Sequence, residues 1–184
     1  DSQGNAVSNA VVSVYSLDNV LYDSKVSNES GEATFRLAAW DYMLQVVWKD
    51  VVVYEGNLSV AGDAVQTIGC QIYYLTVIAV DSQNMGLSNA QMVLEHEGVV
   101  LDTAHTSESG TAQFRVPGCT VLITVYWNTI VVNSTTYTVN SDAVLTLECS
   151  VYYITFMLVD SQGNAVSNAV VSVYSLDNVL YDSK

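Results

Sequence analysis

Three asparagines stand in the sequence pattern that N-linked glycosylation requires. Asn28, Asn57 and Asn133 each begin an Asn-x-Ser/Thr acceptor sequence, which is used in chains that are exported from the cell. The pattern therefore predicts N-linked glycans on an extracellular or cell-surface chain. The many serines and threonines are candidates for O-linked glycans as well.

The cysteines offer a second kind of chemistry. Cys119 and Cys149 are candidates for a disulfide, which would leave Cys70 as a free thiol or as the partner of another chain. The alternative is that all three are small buried hydrophobic side chains. No Cys-x-x-Cys and no Cys/His spacing supports a zinc site, so no metal is expected.

The remaining polar motifs predict turns rather than a reactive site. Asp1, Asp81 and Asp160 each open an Asp-Ser-Gln segment, where the carboxylate is expected to accept hydrogen bonds from its own backbone instead of binding calcium. Glu95–Glu97, with His96 at its centre, is expected to be a solvated hairpin turn. Because no nucleophile–base arrangement and no glycine-rich phosphate loop occur, we expect neither an enzyme nor a cofactor other than glycans.

Composition narrows the choice of partners. The 184 residues carry a net charge of −14, and nucleic-acid binding depends on Lys and Arg, so no nucleic-acid partner is expected. Hydrophobic residues make up 50% of the chain, which is enough for a packed core. No run of about 18 apolar residues occurs, so we expect no membrane span in this segment.

One stretch of the chain occurs twice. Residues 1–25 and 160–184 are identical, and their first residues are 159 positions apart. A diverged copy of the same stretch begins at Asp81, and later positions such as Trp48 and Trp127 match at an offset of 79 residues. The repeat predicts three segments: a domain lacking its first strand at 1–70, a complete domain at 71–148, and the leading strands of a third domain at 149–184.

Short alternating strands separated by turns are typical of an all-β sandwich. The clearest half-buried strand is Glu32–Leu37, where apolar and polar residues alternate. Further strands are predicted at Val65–Ile68 and Val144–Leu147. We therefore predict an all-β chain of tandem β-sandwiches in a linear array.

Two strands are apolar on both faces and must be covered on both sides. They are Ile72–Val80 and Val151–Val159, whereas a sandwich strand normally leaves one face in water. We predict that they form the assembly surface, with a neighbouring domain, another chain or nearby loops as the cover. The residues assigned to this surface are Tyr73, Tyr74, Leu75, Val77, Tyr152, Tyr153, Ile154, Phe156 and Leu158.

The first repeat begins without the strand that precedes the second repeat. In a continuous array, that strand would come from the preceding repeat. In separate subunits, a neighbour would donate it by β-strand addition. Either arrangement gives a linear string of domains, in which the partners of each copy are further copies.

Both units share a Glu-Ser-Gly-x-Ala-x-Phe-Arg motif, and the strand that follows it ends at Trp48 or Trp127. Over nearly all of both units, the sequence resembles the immunoglobulin-like repeats of the carboxypeptidase-regulatory-like and Cna-B-like kind, which have a prealbumin-like sandwich. The resemblance implies that the array consists of tandem seven-stranded immunoglobulin-like β-sandwiches. Such repeats occur in long surface proteins of archaea and bacteria, so the resemblance implies a stalk, fibre or adhesin. Cna-B-like domains often carry a Lys–Asn isopeptide bond. None is expected here because Lys25, Lys49 and Lys184 lie outside the two apolar strands.

These observations together predict a structural component of an extracellular filament or surface stalk, joined head to tail by continuous chain or by strand donation. The alternative is an adhesin stalk or a glycan-binding repeat module of a cell-surface protein, with surface glycans as its partners.

Overall fold

The computed structural model describes residues 1–174 and the backbone of 180–183, and every regular element in these residues is a β-strand. No helix there is long and apolar enough to cross a membrane. The strands are β1 (Val11–Tyr15), β2 (Leu21–Val26), β3 (Asp41–Trp48), β4 (Val51–Ser59), β5 (Ile72–Val80), β6 (Gln91–His96), β7 (Val99–His105), β8 (Thr111–Pro117), β9 (Thr120–Trp127), β10 (Ile130–Thr138), β11 (Ala143–Glu148), β12 (Ser172–Tyr174) and β13 (Leu180–Ser183).

The second repeat is a complete sandwich. One sheet has the order β10-β9-β6-β7, and the other has the order β11-β5-β8, with β5 parallel to β11 and antiparallel to β8. Side chains from both sheets form one buried cluster. This is the β-sandwich that the alternating sequence predicts, and the all-β, immunoglobulin-like fold class is confirmed.

The first repeat has only one of the two sheets. It consists of β2-β1-β3-β4, which corresponds to the four-stranded sheet of the second repeat. The strands predicted at Glu32–Leu37 and Val65–Ile68 are absent, so those two predictions were wrong for this chain. The reason is that both should pair with a counterpart of β5, and no described residue takes that place.

Contacts divide the chain into two compact units, Asp1–Tyr152 and Tyr153–Lys184. The predicted domain boundaries at residues 70 and 148 therefore stay predictions. The second unit contains the β12–β13 hairpin, where Ser172 pairs with Ser183 just as Ser13 pairs with Ser24 in the first unit. Identical sequences thus adopt the same hairpin register, which shows that the register is encoded locally.

Val151–Val159 is not a strand in this structure, although the sequence predicts one. It forms an isolated bridge between Val159 and Ala165. The equivalent bridge in the second repeat joins Val80 to Gly86. The segment has the sequence of a central strand but lacks the two flanking strands that make β5 one.

Candidate assembly site

The central strand β5 belongs to two cores at once. Leu75, Val77 and Ala79 point into the second repeat and are fully buried there. Ile72, at the start of the same strand, is fully buried in the core of the first repeat, against Val53 and its neighbours. The strand that the sequence assigns to assembly therefore links the interiors of adjacent repeats.

The first turn of the chain partly covers the outer face of β5. Tyr74 donates a hydrogen bond from its hydroxyl to Asp1 Oδ2 at 2.8 Å, and Asn5 Nδ2 donates to that hydroxyl at 2.9 Å. Tyr73 packs against the second core instead. The expected cover of the apolar strand is thus supplied, on this side, by a loop of the preceding repeat.

Asp1 combines a local turn with an ion pair. Its Oδ1 accepts hydrogen bonds from the backbone N–H groups of Gln3 and Asn5, at 3.0 and 2.7 Å. The predicted backbone turn is therefore observed at Asp1 and recurs at Asp160. Hydrogen bonds from Asn164 and Gln162 lower the pKa of Asp160.

The sequence did not predict the second role of Asp1. Its Oδ2 lies 2.8 Å from Arg115 Nη2, and the Asp1 side chain has no exposed surface. Arg115 also donates to the Ala6 carbonyl at 2.8 Å. This buried ion pair fixes the turn of the first repeat onto β8 of the second.

Asp142 provides another contact between the repeats. Its carboxylate accepts hydrogen bonds from Ser2 Oγ at 2.6 Å, Gln3 Nε2 at 3.0 Å and the Tyr74 N–H at 3.0 Å. The hydrogen bond from Ser2 contributes most to a lowered pKa of Asp142, followed by those from Tyr74 and Gln3. All three hydrogen bonds favour the ionised carboxylate, which only accepts, over the protonated acid.

The β3–β4 turn supplies a third contact. Lys49 and Asp50 both have positive φ values, of 49° and 59°, which suit a tight hairpin and place Lys49 beside the second repeat. Lys49 Nζ lies 3.0 Å from Asp102 Oδ2, and Arg115 lies over the ring of Trp48, with 5.5 Å between Cζ and the ring centroid. We refer to Asp1, Ser2, Trp48, Lys49, Tyr74, Asp102, Arg115 and Asp142 together as the inter-repeat joint.

Internal symmetry in the sequence could have revealed part of this joint. The chain has only five basic residues, yet its two arginines, Arg36 and Arg115, occupy equivalent positions. Asp63 and Asp142 are equivalent as well. When charged residues are kept at equivalent positions of otherwise diverged repeats, they indicate that each repeat makes the same polar contact with its neighbour.

The first repeat has an open slot where the second has β5. Ala33, Phe35 and Leu37 still alternate inward but are only half-buried, as is Ile68. Their counterparts in the second repeat, Ala112, Phe114, Val116 and Leu147, are all buried. We define the open slot as residues 32–38 and 64–70, together with the inward side chains of β1.

The segment Val151–Val159, here called the trailing strand, exposes the side chains that β5 buries. Ile154 is 70% exposed and Phe156 is 58% exposed, whereas their counterparts Leu75 and Val77 have no exposed surface. Leu158, the counterpart of Ala79, is exposed as well. Tyr152 and Tyr153 are also exposed in this structure. Hydrophobic side chains in such a run mark a surface that another part of a protein covers.

The predicted disulfide between Cys119 and Cys149 is not formed, and both residues are free thiols. Residue 118 hydrogen-bonds beside the start of β5, through the Gln71 carbonyl, while Cys149 hydrogen-bonds to Val80 at its end. The length of β5 separates the two thiols by roughly 25 Å, which is far beyond disulfide reach. Burial raises the pKa of the Cys149 thiol to about 11, as suits a small core side chain.

The three glycosylation candidates differ in access. Asn57 is exposed on β4, whereas Asn28 is exposed but uses its side-chain oxygen to hold the backbone of its own turn. Asn133 is half-buried, and its Nδ2 donates to the Glu148 carbonyl at 2.8 Å. The nitrogen that would carry a glycan is therefore hydrogen-bonded at Asn133, and at Asn28 it donates to Glu32 Oε2 at 3.3 Å, whereas Asn57 is exposed on its strand.

The remaining polar candidates form no reactive cluster within the part of the chain that the structure describes. His96 Nδ1 hydrogen-bonds with the Thr120 carbonyl at 2.8 Å, and Glu97 and Gly98 form the expected hairpin turn. No group of three His, Cys, Asp or Glu side chains there is placed to hold a metal ion.

No family model and no curated protein matches the chain. Solved structures with a similar fold include the Bacillus anthracis TIE protein, at 17% identity and a TM-score of 0.40, over 80% of this chain and 32% of that one. The shaft pilin SpaA of Lactobacillus rhamnosus GG has 10% identity and a TM-score of 0.37, over 80% of this chain and 90% of that one. BcpA, the major pilin subunit of Bacillus cereus, has 10% identity and a TM-score of 0.38, over 79% and 60%. The chain spans about a third of the TIE protein, and these distant similarities assign no function.

Proposed function

We propose that this chain is a structural segment of an extracellular filament or surface stalk built from tandem β-sandwich repeats. Its partners are further copies of the same repeats, joined head to tail by continuous chain or by strand donation. The observation that carries this proposal is the coexistence of an open slot in the first repeat with an exposed trailing strand of matching sequence. The role is mechanical, so the proposal includes no catalytic activity.

The joint supports a mechanical role because several kinds of contact connect the two repeats across it. Ile72 packs in one core while the rest of β5 packs in the next. The Asp1–Arg115 ion pair lies beside this strand, and the Lys49–Asp102 ion pair joins the β3–β4 turn to β7. Apolar continuity resists separation of the repeats, and directional polar contacts resist their rotation.

The acidic composition fits an assembled surface. A net charge of −14 with few lysines makes the outer faces of neighbouring strings repel one another. Glycans at Asn57 and at Asn28 would shield those faces further, and we propose Asn57 as the principal site because it is exposed on its strand. Deglycosylation should lower the mass of the native chain, and the change Asn57→Gln should abolish most of that difference.

The assembly proposal is tested by placing a charge on one face of the trailing strand. Phe156→Asp, introduced in every copy of the native polypeptide, should abolish filaments in electron micrographs because it puts a carboxylate into the core of the next repeat. Thr155→Asp is the matched control, since this polar neighbour lies on the opposite face of the strand, and it should leave filaments intact. Normal filaments from Phe156→Asp would overturn the proposal.

A further inference from the structure

We infer that the open slot of the first repeat selects a second copy of the trailing strand over a strand with the sequence of β5. The two kinds of repeat would then alternate because each accepts only its own central strand. This inference rests on the proposed function and adds to it a rule for the order in which the two kinds of repeat follow each other. It concerns which strand fills the slot, whereas the proposed function requires only that some strand does.

The second repeat supplies the register for the occupied slot. In that repeat, Leu75 pairs with Phe114 and Val77 pairs with Ala112. Transferring these pairs to equivalent positions places Ile154 opposite Phe35 and Phe156 opposite Ala33. The half-buried side chains of residues 33–37 would then become as buried as those of β8.

One backbone contact of this register already exists in the trailing strand. In the second repeat, the Leu87 N–H donates to the Ala79 carbonyl at 2.9 Å, beside the bridge between β5 and the loop that follows it. In the trailing strand, the Val166 N–H donates to the Leu158 carbonyl at 3.0 Å. Val166 is the identical copy of Val7, so the strand already makes with a copy of the first repeat the contact that the slot requires.

Side-chain size provides the selectivity. The trailing strand has Phe156 and Leu158 where β5 has the smaller Val77 and Ala79. The first repeat compensates on the facing sheet, because its β1 has smaller residues than the equivalent β6. The compensating residues are Val12 and Val14, in place of Met92 and Leu94.

In the second repeat these positions belong to a single buried cluster. Val77, Ala79, Met92 and Leu94 all lie in it and are fully buried. Large-to-small exchanges on one sheet are thus matched by small-to-large exchanges on the strand that faces it, which is how a core of constant volume is maintained. A mismatched strand would leave a cavity in the first repeat or overfill the second.

Two inward-facing substitutions enlarge the first repeat, Leu37 for Val116 and Tyr42 for Val121, but both affect the other end of the slot. Tyr42 replaces Val121, and its ring contacts that of Tyr22 edge-on while its hydroxyl donates to the Ala38 carbonyl at 3.2 Å. Residue 38 is equivalent to Pro117, which pairs with Ile72 at the start of β5. The extra volume of Tyr42 therefore lies away from the positions that Phe156 and Leu158 would fill.

The test extends the full chain at its N-terminus with alternative central strands. One variant carries a copy of residues 150–159 directly before Asp1, and its matched partner carries a copy of residues 71–80 in the same place. A third carries the copy of 150–159 with Phe156→Asp. Amide hydrogen exchange of residues 32–38 and 64–70 reports whether the missing sheet forms, and thermal unfolding reports how well the strand fits.

The copy of residues 150–159 should slow exchange in both segments by about 100-fold or more, while the copy carrying Phe156→Asp should not. The copy of 71–80 should give weaker protection and a midpoint of unfolding lower by about 5–10 °C, because cavities form at two positions. Equal protection and equal midpoints would overturn the selectivity while leaving strand completion intact. Protection by neither extension would overturn strand completion itself, and with it the proposed function.

Discussion

The two repeats have closely related sequences, yet only the second forms a complete sandwich. Phe114 is buried between two sheets, while the equivalent Phe35 is half-buried in a segment without a ladder. The difference lies in one strand, because β5 precedes the second repeat and the described residues contain no counterpart in front of the first. In the three-stranded sheet, each outer strand pairs only with the central strand. When the central strand is missing, neither outer segment has a partner and the sheet does not form.

The four-stranded sheet shows the opposite behaviour. It forms in both repeats because its hairpins join strands that are neighbours in the sequence, so each of these strands has a partner within the same repeat. The β12–β13 hairpin extends this comparison, since it reproduces the register of β1–β2. The four-stranded sheet of each repeat is therefore encoded locally. The three-stranded sheet depends on the central strand that precedes the repeat, which is β5 for the second repeat.

The largest contrast is expected for a charge placed on the central strand. Val77→Asp buries a carboxylate in the complete core and should destabilise the second repeat by about 4 kcal/mol or more. Phe156→Asp, at the equivalent position of the trailing strand, should leave the stability of the isolated chain nearly unchanged because the side chain is exposed. Urea denaturation of both variants measures the difference. Similar losses would show that the trailing strand is already packed in a core.

Removing an aromatic side chain sharpens the same comparison. Phe114→Ala should cost about 3–5 kcal/mol because it leaves a cavity in a closed core. Phe35→Ala should cost about 1–2 kcal/mol, since a half-buried ring has less apolar surface to lose. Chemical denaturation of the two variants, monitored separately for each repeat by hydrogen exchange, would reveal the gap. If the two costs were equal, the first core would have to be closed as well.

The joint gives a smaller contrast between the two arginines. Arg115→Ala leaves the buried Asp1 carboxylate without its cation and should cost about 2 kcal/mol, given that Arg115 itself is about a quarter exposed. The equivalent Arg36 is exposed, so Arg36→Ala should change stability by less than about 0.5 kcal/mol. Thermal unfolding provides the comparison, and equal effects would remove the Asp1–Arg115 pair from the account of the joint.

The smallest expected effect is a loss of folding stability at acidic pH. The folded chain lowers the pKa of Asp142 below its usual value of 3.8, so its hydrogen bonds stabilise the fold above that pH. Their contribution should be lost as the pH falls through the lowered value, when the carboxylate becomes protonated. Asp142→Asn should flatten this part of the stability profile below about pH 4, whereas Ser2→Ala should flatten it partly. An unchanged profile in Asp142→Asn would contradict this role.

The sequence predicted most of the fold because periodicity reports local strand patterns directly. It predicted β5, β9 and β11 from their apolar residues, and the Asp1 turn from its residue type. It was wrong about Glu32–Leu37, where the alternation is as clear as in β8, because a pattern states which face a strand would bury and not whether a partner is present. The Cys119–Cys149 disulfide failed for a related reason, since sequence spacing does not reveal that β5 separates the two ends.

The candidate site was predictable in its apolar half only. The two-sided strands predicted the residues that we propose for assembly, and the offset between repeats showed which strand the first repeat lacks. The ion pairs of the joint, such as Asp1 with Arg115, join residues that are distant in sequence and carry no periodic signal. They become apparent only when the two sheets are placed side by side.

Hydrogen exchange of residues 32–38, measured in the isolated chain and in the native assembly, tests the central claim most directly. The account predicts fast exchange in the isolated chain and slow exchange in the assembly, while β8 at Thr111–Pro117 exchanges slowly in both. Slow exchange of residues 32–38 in the isolated chain would contradict the account, because the first repeat would then be complete without a further strand. Fast exchange in the assembly would contradict it equally, because the slot would then remain open where a strand should fill it.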